Sequence, residues 1–265
     1  MKTKTLKFSV IIITMIIALT YINYNIIPQK IDPQASKLNT LTREEIRKGW
    51  KLLFDGKTFN GWVGLGRDHV PAGSWIVEDG MIHKVNTGGA KQLNNGLLIE
   101  AGDLVAVDIF ENFELTFEWR ILKAGNSGIK YNLYETKSQE SSPNFSALGF
   151  EYQILDDQDE SYKGLKPSQF TGSLYEMIPS ENVVLKPLGE FNSSRILVNG
   201  KHVEHWLNGN KVVEYEFGSK ELEDGFKSSK FKNYPGFIDK RRTHIVLQNH
   251  NEEFWFRNIK IRELH

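Results

Sequence analysis

The chain has 265 residues, with 33 lysine and arginine residues balanced by 33 aspartate and glutamate residues, and it contains no cysteine. This balance offers no basic surface for a nucleic acid, and the lack of cysteine excludes a disulfide framework. Aromatic residues form 12% of the chain and 22 glycines supply turns, a composition that favours β-structure. A neutral ligand such as a carbohydrate suits the charge balance.

The N-terminus predicts export. Three lysines among the first seven residues precede an apolar run over residues 8–20, which is the order found in a signal peptide. Residues 21–27 prolong the apolar run towards membrane-spanning length, and no A-x-A cleavage site follows. We interpret residues 1–27 as a signal peptide or an uncleaved membrane anchor. We therefore expect a periplasmic or cell-surface protein that contacts a membrane only through that anchor.

Residues 28–46 predict a tether and a short helix. Residues 28–41 are polar and show no periodicity, as is typical of a linker. Thr42 and Glu45 have the spacing of a capping box, which indicates a helix that begins after Thr42 and ends near Lys48.

The remaining residues, 47–264, mostly follow the two-residue period of antiparallel strands. Residues 75–85 predict a hairpin folded at Asp79-Gly80, and residues 113–121 predict a strand with apolar side chains on one face. Two Asn-Gly turns within residues 195–215 predict a three-stranded meander.

Residues 245–264 predict a last hairpin with its turn near Asn251 and Glu252. Short strands without long alternating helices indicate an antiparallel sandwich or barrel. Three long loops interrupt the strands, at residues 136–148, 157–172 and 219–237. Loops of this length inside a compact β domain are commonly functional lids or rims, and the third has a predicted helical turn around Leu222 to Phe226.

One strand carries side chains suited to chemistry. In residues 149–157, alternation places Glu151 and Gln153 on one face and Phe150, Tyr152 and Ile154 on the other. The carboxylate and the amide would then start about 6.5–7 Å apart along the backbone, and Asp156 would join them if a bulge follows. The alternative is a solvated outer face without function.

Seven motifs in fixed order make the sequence recognisable, among them Gly125-Asn-Ser-Gly-Ile-Lys-Tyr131 and Gly149-Phe-Glu-Tyr-Gln-Ile-Leu-Asp-Asp157. They closely resemble the 3-keto-disaccharide hydrolase domain family. The resemblance covers about residues 47–264, and it implies a concanavalin A-like jelly-roll sandwich, export, and cleavage of sugars oxidised at C3. The other motifs lie at residues 50–62, 171–175, 186–192, 203–209 and 256–261.

For a 3-keto sugar, we predict that Glu151 abstracts the C2 proton, that Gln153 orients the substrate and that Lys130 faces the enolate. Elimination and hydration then give net hydrolysis. A lysine on a strand is otherwise an ordinary solvated edge residue. Further substrate-binding candidates are Asn126, Asp156, Tyr175, Gln248, His250 and Arg257.

Two other functions stay open. Glu151, Gln153 and Asp156 also resemble the E-x-D-x-x-E strand of retaining β-glucanases, but Gln153 cannot ionise and Asp156 is one methylene shorter than glutamate. A carbohydrate-binding module without catalysis is the second alternative, because sandwich folds serve both uses. A cavity shared by Glu151, Gln153 and Lys130 would favour an enzyme.

The sequence identifies no cofactor with certainty, although a divalent cation fits an acidic loop at Asp156, Asp157 and Asp159. This loop lacks the glycine and the final glutamate of an EF-hand. His202, His205 and Glu204 do not converge on one strand face, and structural packing is the simpler interpretation of them. Trp206 and Trp255 are either core residues or stacking platforms for sugars.

Overall fold

A computed structural model describes residues 38–135 and 146–265, which form an all-β sandwich of two antiparallel sheets. Sheet A contains β1 (Lys51–Leu52), β3 (Trp75–Glu78), β4 (Met81–Lys84), β6 (Phe113–Ile121), β9 (Asn192–Asn199), β10 (His202–Leu207), β11 (Asn210–Glu216) and β13 (Phe254–Glu263). Sheet B contains β2 (Trp62–Gly64), β5 (Leu104–Phe110), β7 (Asn126–Glu135), β8 (Leu148–Leu155) and β12 (Thr243–Leu247).

The spatial order is β11-β10-β9-β6-β13-β4-β3 in sheet A, with β1 beside β13, and β2-β5-β12-β7-β8 in sheet B. The chain passes repeatedly from one sheet to the other, as in a jelly roll, which confirms the predicted fold class. The described residues also form two helices, α1 (Arg43–Arg47) and α2 (Lys220–Ser228), and two short 3-10 helices (Glu160–Tyr162 and Pro167–Gln169). No helix within the described residues is long and apolar enough to cross a membrane.

Aromatic side chains from both sheets fill the space between them. Phe117 of sheet A meets Tyr152 of sheet B with ring centroids 5.6 Å apart, edge to face. Trp119 Nε1 donates to Ser194 Oγ at 2.8 Å, and the Tyr152 hydroxyl lies 2.9 Å from the same oxygen, so the polar atoms of these rings are satisfied inside the core. Apolar burial and these bonds hold the two sheets face to face.

Several predicted elements are present. The hairpin at Asp79-Gly80 forms between β3 and β4, and both turn residues have positive φ, as a tight hairpin turn requires. The meander forms as β9, β10 and β11. The Thr42–Glu45 capping box closes around α1, and the predicted helical turn in residues 219–237 extends to the nine residues of α2.

Two predictions about chain path are wrong. The predicted hairpin over residues 245–264 does not form, because β12 pairs with β5 and β7 in sheet B whereas β13 pairs with β6 and β4 in sheet A. The turn near Asn251 and Glu252 is thus a crossover between sheets, which the local pattern of two strands and a short loop cannot distinguish from a hairpin. In addition, Asn39 belongs to the domain rather than to a free tether, since it exchanges backbone-to-side-chain bonds with Asn258. The predicted signal or anchor and most of the tether lie outside the described residues.

A buried ion pair lies beneath the outer face of sheet B. Asp103, just before β5, is 0% exposed, and its carboxylate accepts a bond from Lys130 Nζ of β7 at 3.0 Å. The same carboxylate accepts from the backbone N–H groups of Ala147 and Asn249, both at 2.8 Å. Asp103 therefore ties together the start of β5, the middle of β7, the entry to β8 and the crossover after β12.

His205 is fully buried between the sheets and has a fixed tautomer. Its Nδ1–H donates to the Gly172 carbonyl at 2.8 Å, so Nε2 is the acceptor for the Tyr131 hydroxyl at 2.7 Å. Burial lowers the pKa of His205 to about 4. The structure thus gives His205 the packing role predicted from the sequence.

We predict that replacing Asp103 by asparagine lowers the free energy of unfolding by about 3–5 kcal/mol, because Lys130 stays buried but loses its ion-pair partner. Chemical denaturation measures the change. Asp108→Asn, at an exposed carboxylate on β5, the strand that follows Asp103, should change stability by less than about 0.5 kcal/mol. Equal effects of the two substitutions would contradict the role of the ion pair.

We also predict that His205 weakens the fold in acid. Its folded pKa lies below its unfolded value, so the unfolded chain binds an extra proton between about pH 6.5 and pH 4. The contribution of neutral His205 to the free energy of unfolding is therefore fully present above pH 6.5, and about 3 kcal/mol of it is lost as the pH drops to 4. Denaturation at several pH values should show that the free energy of unfolding changes less steeply with pH for His205→Gln than for wild type. A control at the exposed His265 should keep the wild-type slope, and an unchanged slope for His205→Gln would contradict the prediction.

Candidate active site

The outer face of sheet B carries a cavity of about 350 Å³. Its floor is formed by the neighbouring strands β7 and β8, where Lys130 and Glu151 are direct cross-strand partners. The segment after α2 and the crossover after β12 form its sides. The lining includes seven of the predicted site residues, namely Asn126, Lys130, Glu151, Gln153, Tyr175, Gln248 and His250.

Glu151 lies at the centre of this floor. Phe150, Tyr152 and Ile154 are buried in the core, so strand alternation turns Glu151 and Gln153 outward into the cavity, as predicted. Glu151 is 6% exposed, and within the described residues its carboxylate accepts no hydrogen bond. A Cβ on Gly128 would come within 2.4 Å of Glu151 Oε1, so this glycine provides the space that the carboxylate occupies.

The electrostatics of Glu151 suit a base. Burial raises the pKa of Glu151, while the charges of Lys130, Lys230 and His250 counteract part of the rise. A carboxylate with a raised pKa accepts a proton more readily than an ordinary surface glutamate. Glu151 is the one carboxylate among the described lining residues, and His250 is a second lining residue that can exchange a proton.

Lys130 lines the cavity but does not have the role predicted for it. Its three ammonium protons are donated to Asp103, Ser146 Oγ at 2.7 Å and the Ala147 carbonyl at 3.0 Å. A lysine has no fourth donor for an enolate oxygen. The expectation that Lys130 contacts the enolate is therefore wrong in this structure, and Lys130 acts as a buried support beside Glu151.

Among the described lining residues, Lys230 is the lysine whose ammonium has donors left for a ligand. It lies two residues beyond α2 on the rim, where its ammonium is 4.4 Å from the Tyr175 ring centroid and 3.3 Å from the Tyr175 hydroxyl. Tyr175 in turn is fixed by its backbone N–H, which donates to the Glu151 carbonyl at 3.0 Å. Through its contact with Tyr175, Lys230 is held near β8, the strand that contains Glu151.

Gln153 and Gln248 offer amide groups to a ligand. Gln153 is held by its own strand and by a neighbouring loop, since it accepts from the Ile154 N–H at 3.0 Å and donates to the Gln169 carbonyl at 3.3 Å. Gln248 Oε1 is buried and has no hydrogen-bond partner within the described residues. An unpaired buried acceptor in a cavity is satisfied when a ligand hydroxyl donates to it.

His250 is oriented by a carboxylate at the cavity edge. Its Nδ1 is bonded to Glu252, and its Nε2 lies 3.4 Å from the Asn126 amide nitrogen. Burial opposes a low pKa for Glu252, but the hydrogen bond and charge of His250 outweigh it and lower that pKa. An imidazole with one nitrogen held by a carboxylate presents the other for proton transfer.

Two predicted site residues lie elsewhere. No bulge turns Asp156 towards Glu151; instead its carboxylate accepts from the Ala124 N–H at 2.9 Å, and the side chain lines a different cavity beside Trp119. Arg257 is on β13 of sheet A, where its guanidinium donates to Glu118 at 2.7 Å and stacks 3.8 Å from the Phe191 ring centroid. Their predicted contact with substrate at this cavity is wrong because one follows the end of β8 and the other belongs to the opposite sheet.

The acidic loop is used for local structure. Asp157 accepts from the backbone and hydroxyl of Thr171, and Asp159 caps the 3-10 helix that follows it. This gives both carboxylates a role in the loop without a cation.

One group of candidate metal ligands exists in the described chain, on sheet A. Ligand atoms of His202, Glu204 and Glu214 lie within 4.8 Å of one another. Sequence reasoning missed it because Glu214 belongs to the neighbouring strand, directly opposite Glu204. Lys211 and Arg195 already pair with these carboxylates, so the cluster is a surface ion-pair network.

The loop after α2 supplies three of the lining residues that sequence reasoning missed, and residues 146–149 at the entry to β8 supply the others. Lys230, Phe231 and Tyr234 all come from the predicted loop at residues 219–237, which was expected to form a rim but without named residues. Glu252, the partner of His250, was also missed. A signal for it was present, because a histidine and a glutamate two residues apart can bond to each other.

Comparison with known proteins places the chain in a family. Residues 49–262 match the model of the 3-keto-alpha-glucoside-1,2-lyase-like domain. A 3-keto-disaccharide hydrolase of Bacteroides thetaiotaomicron is 34% identical over 255 residues, covering 87% of this chain and 84% of that protein.

Solved structures agree. A Parabacteroides distasonis protein provisionally described as a glycosyl hydrolase aligns with TM-score 0.72 and 32% identity, covering 86% of this chain and 100% of that one. A second such protein from the same organism aligns with TM-score 0.61 and 28% identity, covering 81% of this chain and 99% of that one. These matches confirm the family inferred from the sequence motifs and, with it, an enzyme of the glycoside hydrolase class. The chain belongs to the 3-keto-alpha-glucoside-1,2-lyase-like domain family.

Proposed function

We propose that this protein cleaves 3-keto glycosides by removing the C2 proton, eliminating the C1 substituent and adding water. The observation that carries the proposal is a single buried carboxylate, Glu151, which faces a polar cavity beside cationic and amide groups. Its named relative supports the substrate class, since that protein is a 3-keto-disaccharide hydrolase.

The first step uses Glu151 as the base. A ketone at C3 acidifies the neighbouring C2 hydrogen, so the Glu151 carboxylate takes that proton and the electron pair becomes an enolate whose charge lies on the C3 oxygen. Donors aimed at this oxygen lower the barrier most when they are fixed before reaction. Gln153 and Asn126 supply amide donors, and Lys230 supplies the available positive charge.

The second step breaks the bond from C1 to the glycosidic oxygen. When the enolate re-forms the ketone, a double bond forms between C1 and C2 and the sugar alkoxide leaves, taking a proton. His250 is suited to give that proton, because Glu252 holds its Nδ1 and its Nε2 lies beside Asn126 in the cavity lining. Water then adds its hydroxyl to C1 and a proton to C2, so the net change is hydrolysis.

The two rival functions have less support. A retaining glycosidase needs two carboxylates about 5–5.5 Å apart, whereas Asp156 lies away from the cavity and Gln153 occupies the middle position. A binding module needs no buried base, and sugars bind such modules through hydrogen bonds and stacking. The raised pKa of Glu151 inside a shared cavity favours catalysis.

We predict that Glu151→Gln lowers the rate of 3-keto glucoside cleavage by about 10²–10⁴, because the base is removed while the side-chain shape is kept. Turnover is measured by release of the second sugar. The matched control is Glu181→Gln, an exposed residue outside the cavity, which should retain wild-type turnover. The unoxidised parent glucoside should not be cleaved by any of these proteins.

Cleavage of the parent glucoside at a similar rate would contradict the proposal and favour the glycosidase mechanism. Tight binding of sugar without cleavage of either substrate would indicate a binding module.

Lys230→Met should slow cleavage by about 10 to 10², because the enolate loses the available charge on the rim and the residue's exposure limits the effect. The matched control is Lys232→Met, an exposed lysine two residues later, which should cleave at the wild-type rate. The effect should appear in kcat. If Lys230→Met changes only KM, or nothing, Lys230 does not stabilise the enolate.

Export belongs to the proposal as well, on the evidence of the lysines and the apolar run at residues 8–20. Mass spectrometry of the protein from its native host is the test. We expect either loss of the apolar segment or an intact N-terminus in the membrane fraction. An intact N-terminus in the cytosolic fraction would contradict export.

A further inference from the structure

A second polar cavity lies on the other side of the crossover that carries His250. It has a volume of about 510 Å³ and is bordered by the end of β4, the loop at residues 86–90 and the crossover residues. It shares no lining residue with the candidate active site, because Gln248 and His250 face one cavity whereas Asn249, Asn251 and Glu252 face the other.

Lys84 is an unusual residue for the wall of this cavity. It is 3% exposed, and its ammonium donates a single hydrogen bond, to the Val85 carbonyl at 2.7 Å. No carboxylate of the described residues lies within ion-pair distance of it. Burying a cation without a counter-ion costs several kcal/mol, so a buried lysine is normally paired.

The two carboxylates whose charges act on Lys84 are Glu252 and Glu253, and both are engaged elsewhere. Glu252 is bonded to His250, and Glu253 is bonded to His83 Nε2 at 2.8 Å. Burial lowers the pKa of Lys84 to about 8, and the charges of these two glutamates oppose that change. At neutral pH the lysine is therefore still mainly a cation, with two N–H groups available to a ligand.

We propose that this cavity is a second ligand site, in which Lys84 is the counter-ion for the anionic group of a small hydroxylated molecule. Asn86, Asn249, Asn251 and Ser74 line the same cavity and offer amide and hydroxyl groups to the rest of such a molecule. A sugar acid and a phosphorylated sugar share this chemistry. The inference does not depend on the reaction proposed for the neighbouring cavity.

Titration of the folded full-length protein at pH 7 with glucuronate, inorganic phosphate and glucose tests the site, with calorimetry as the readout. We expect one anion to bind saturably and glucose to bind about tenfold or more weakly, since a charged hydrogen bond is lost. Lys84→Met should weaken binding of the anion about tenfold or more. Lys91→Met, at an exposed lysine nearby, should leave the binding unchanged. Tighter binding of glucuronate than of phosphate would indicate a sugar acid, and binding of phosphate alone would indicate a phosphate group.

A second measurement needs no variant. Reductive methylation of wild-type protein, followed by mass spectrometry, should label Lys84 more slowly when the anion is saturating. The rate at which Lys91 is labelled should not change with the anion. Binding that is equal in wild type and Lys84→Met, labelling of Lys84 that the anion does not change, or no binding of either anion would overturn the proposal. None of these outcomes depends on cleavage of a 3-keto sugar, so this inference and the proposed reaction fail separately.

Discussion

The buried contact between Asp103 and Lys130 is the constraint on which the cavity depends. It joins the segment before β5 to β7, and the other bonds to Asp103 fix Ala147 at the entry to β8 and Asn249 in the crossover. Two charges out of water are stable only when their remaining hydrogen-bonding groups are satisfied, and here all three lysine protons have acceptors. The contact sets the position of the strand opposite Glu151 and of the loop that carries His250. The ion pair therefore supports the residues that form the floor and one side of the cavity.

Glu151 differs from Lys130 although the two residues face each other across neighbouring strands. Lys130 has an ion pair and two further bonds, whereas the Glu151 carboxylate accepts no hydrogen bond within the described residues. Burial without hydrogen-bond donors destabilises a carboxylate, which raises its proton affinity, and the nearby lysines limit that effect. A raised proton affinity suits a carboxylate that acts as a general base. Among the described residues, the cavity thus contains one carboxylate that accepts no hydrogen bond, one oriented imidazole and the unpaired amide oxygen of Gln248, a set suited to proton transfer next to a ketone.

Sequence reasoning succeeded where a local rule determines structure. Alternation along a strand assigned Glu151 to the cavity and Tyr152 to the core, because a strand has only two faces. It failed where the answer depends on distant chain segments. The three hydrogen-bond partners of Lys130 are 27, 16 and 17 residues away, so its donors could not be counted from the sequence. The paired strands at residues 245–264 looked like a hairpin, since which sheet each strand joins is decided by β5, β7, β4 and β6. Lys230 was missed because long loops have no period from which to infer side-chain direction.

The central claim, that cleavage begins with removal of the C2 proton by Glu151, is tested most directly with a 3-keto glucoside deuterated at C2. The deuterium should be replaced by solvent hydrogen in the product, because the proton added at C2 during hydration comes from water. Wild-type protein should also show slower turnover of the deuterated substrate if proton removal limits the rate. Complete retention of deuterium at C2, with cleavage at the undeuterated rate, would contradict the account and require direct displacement at C1.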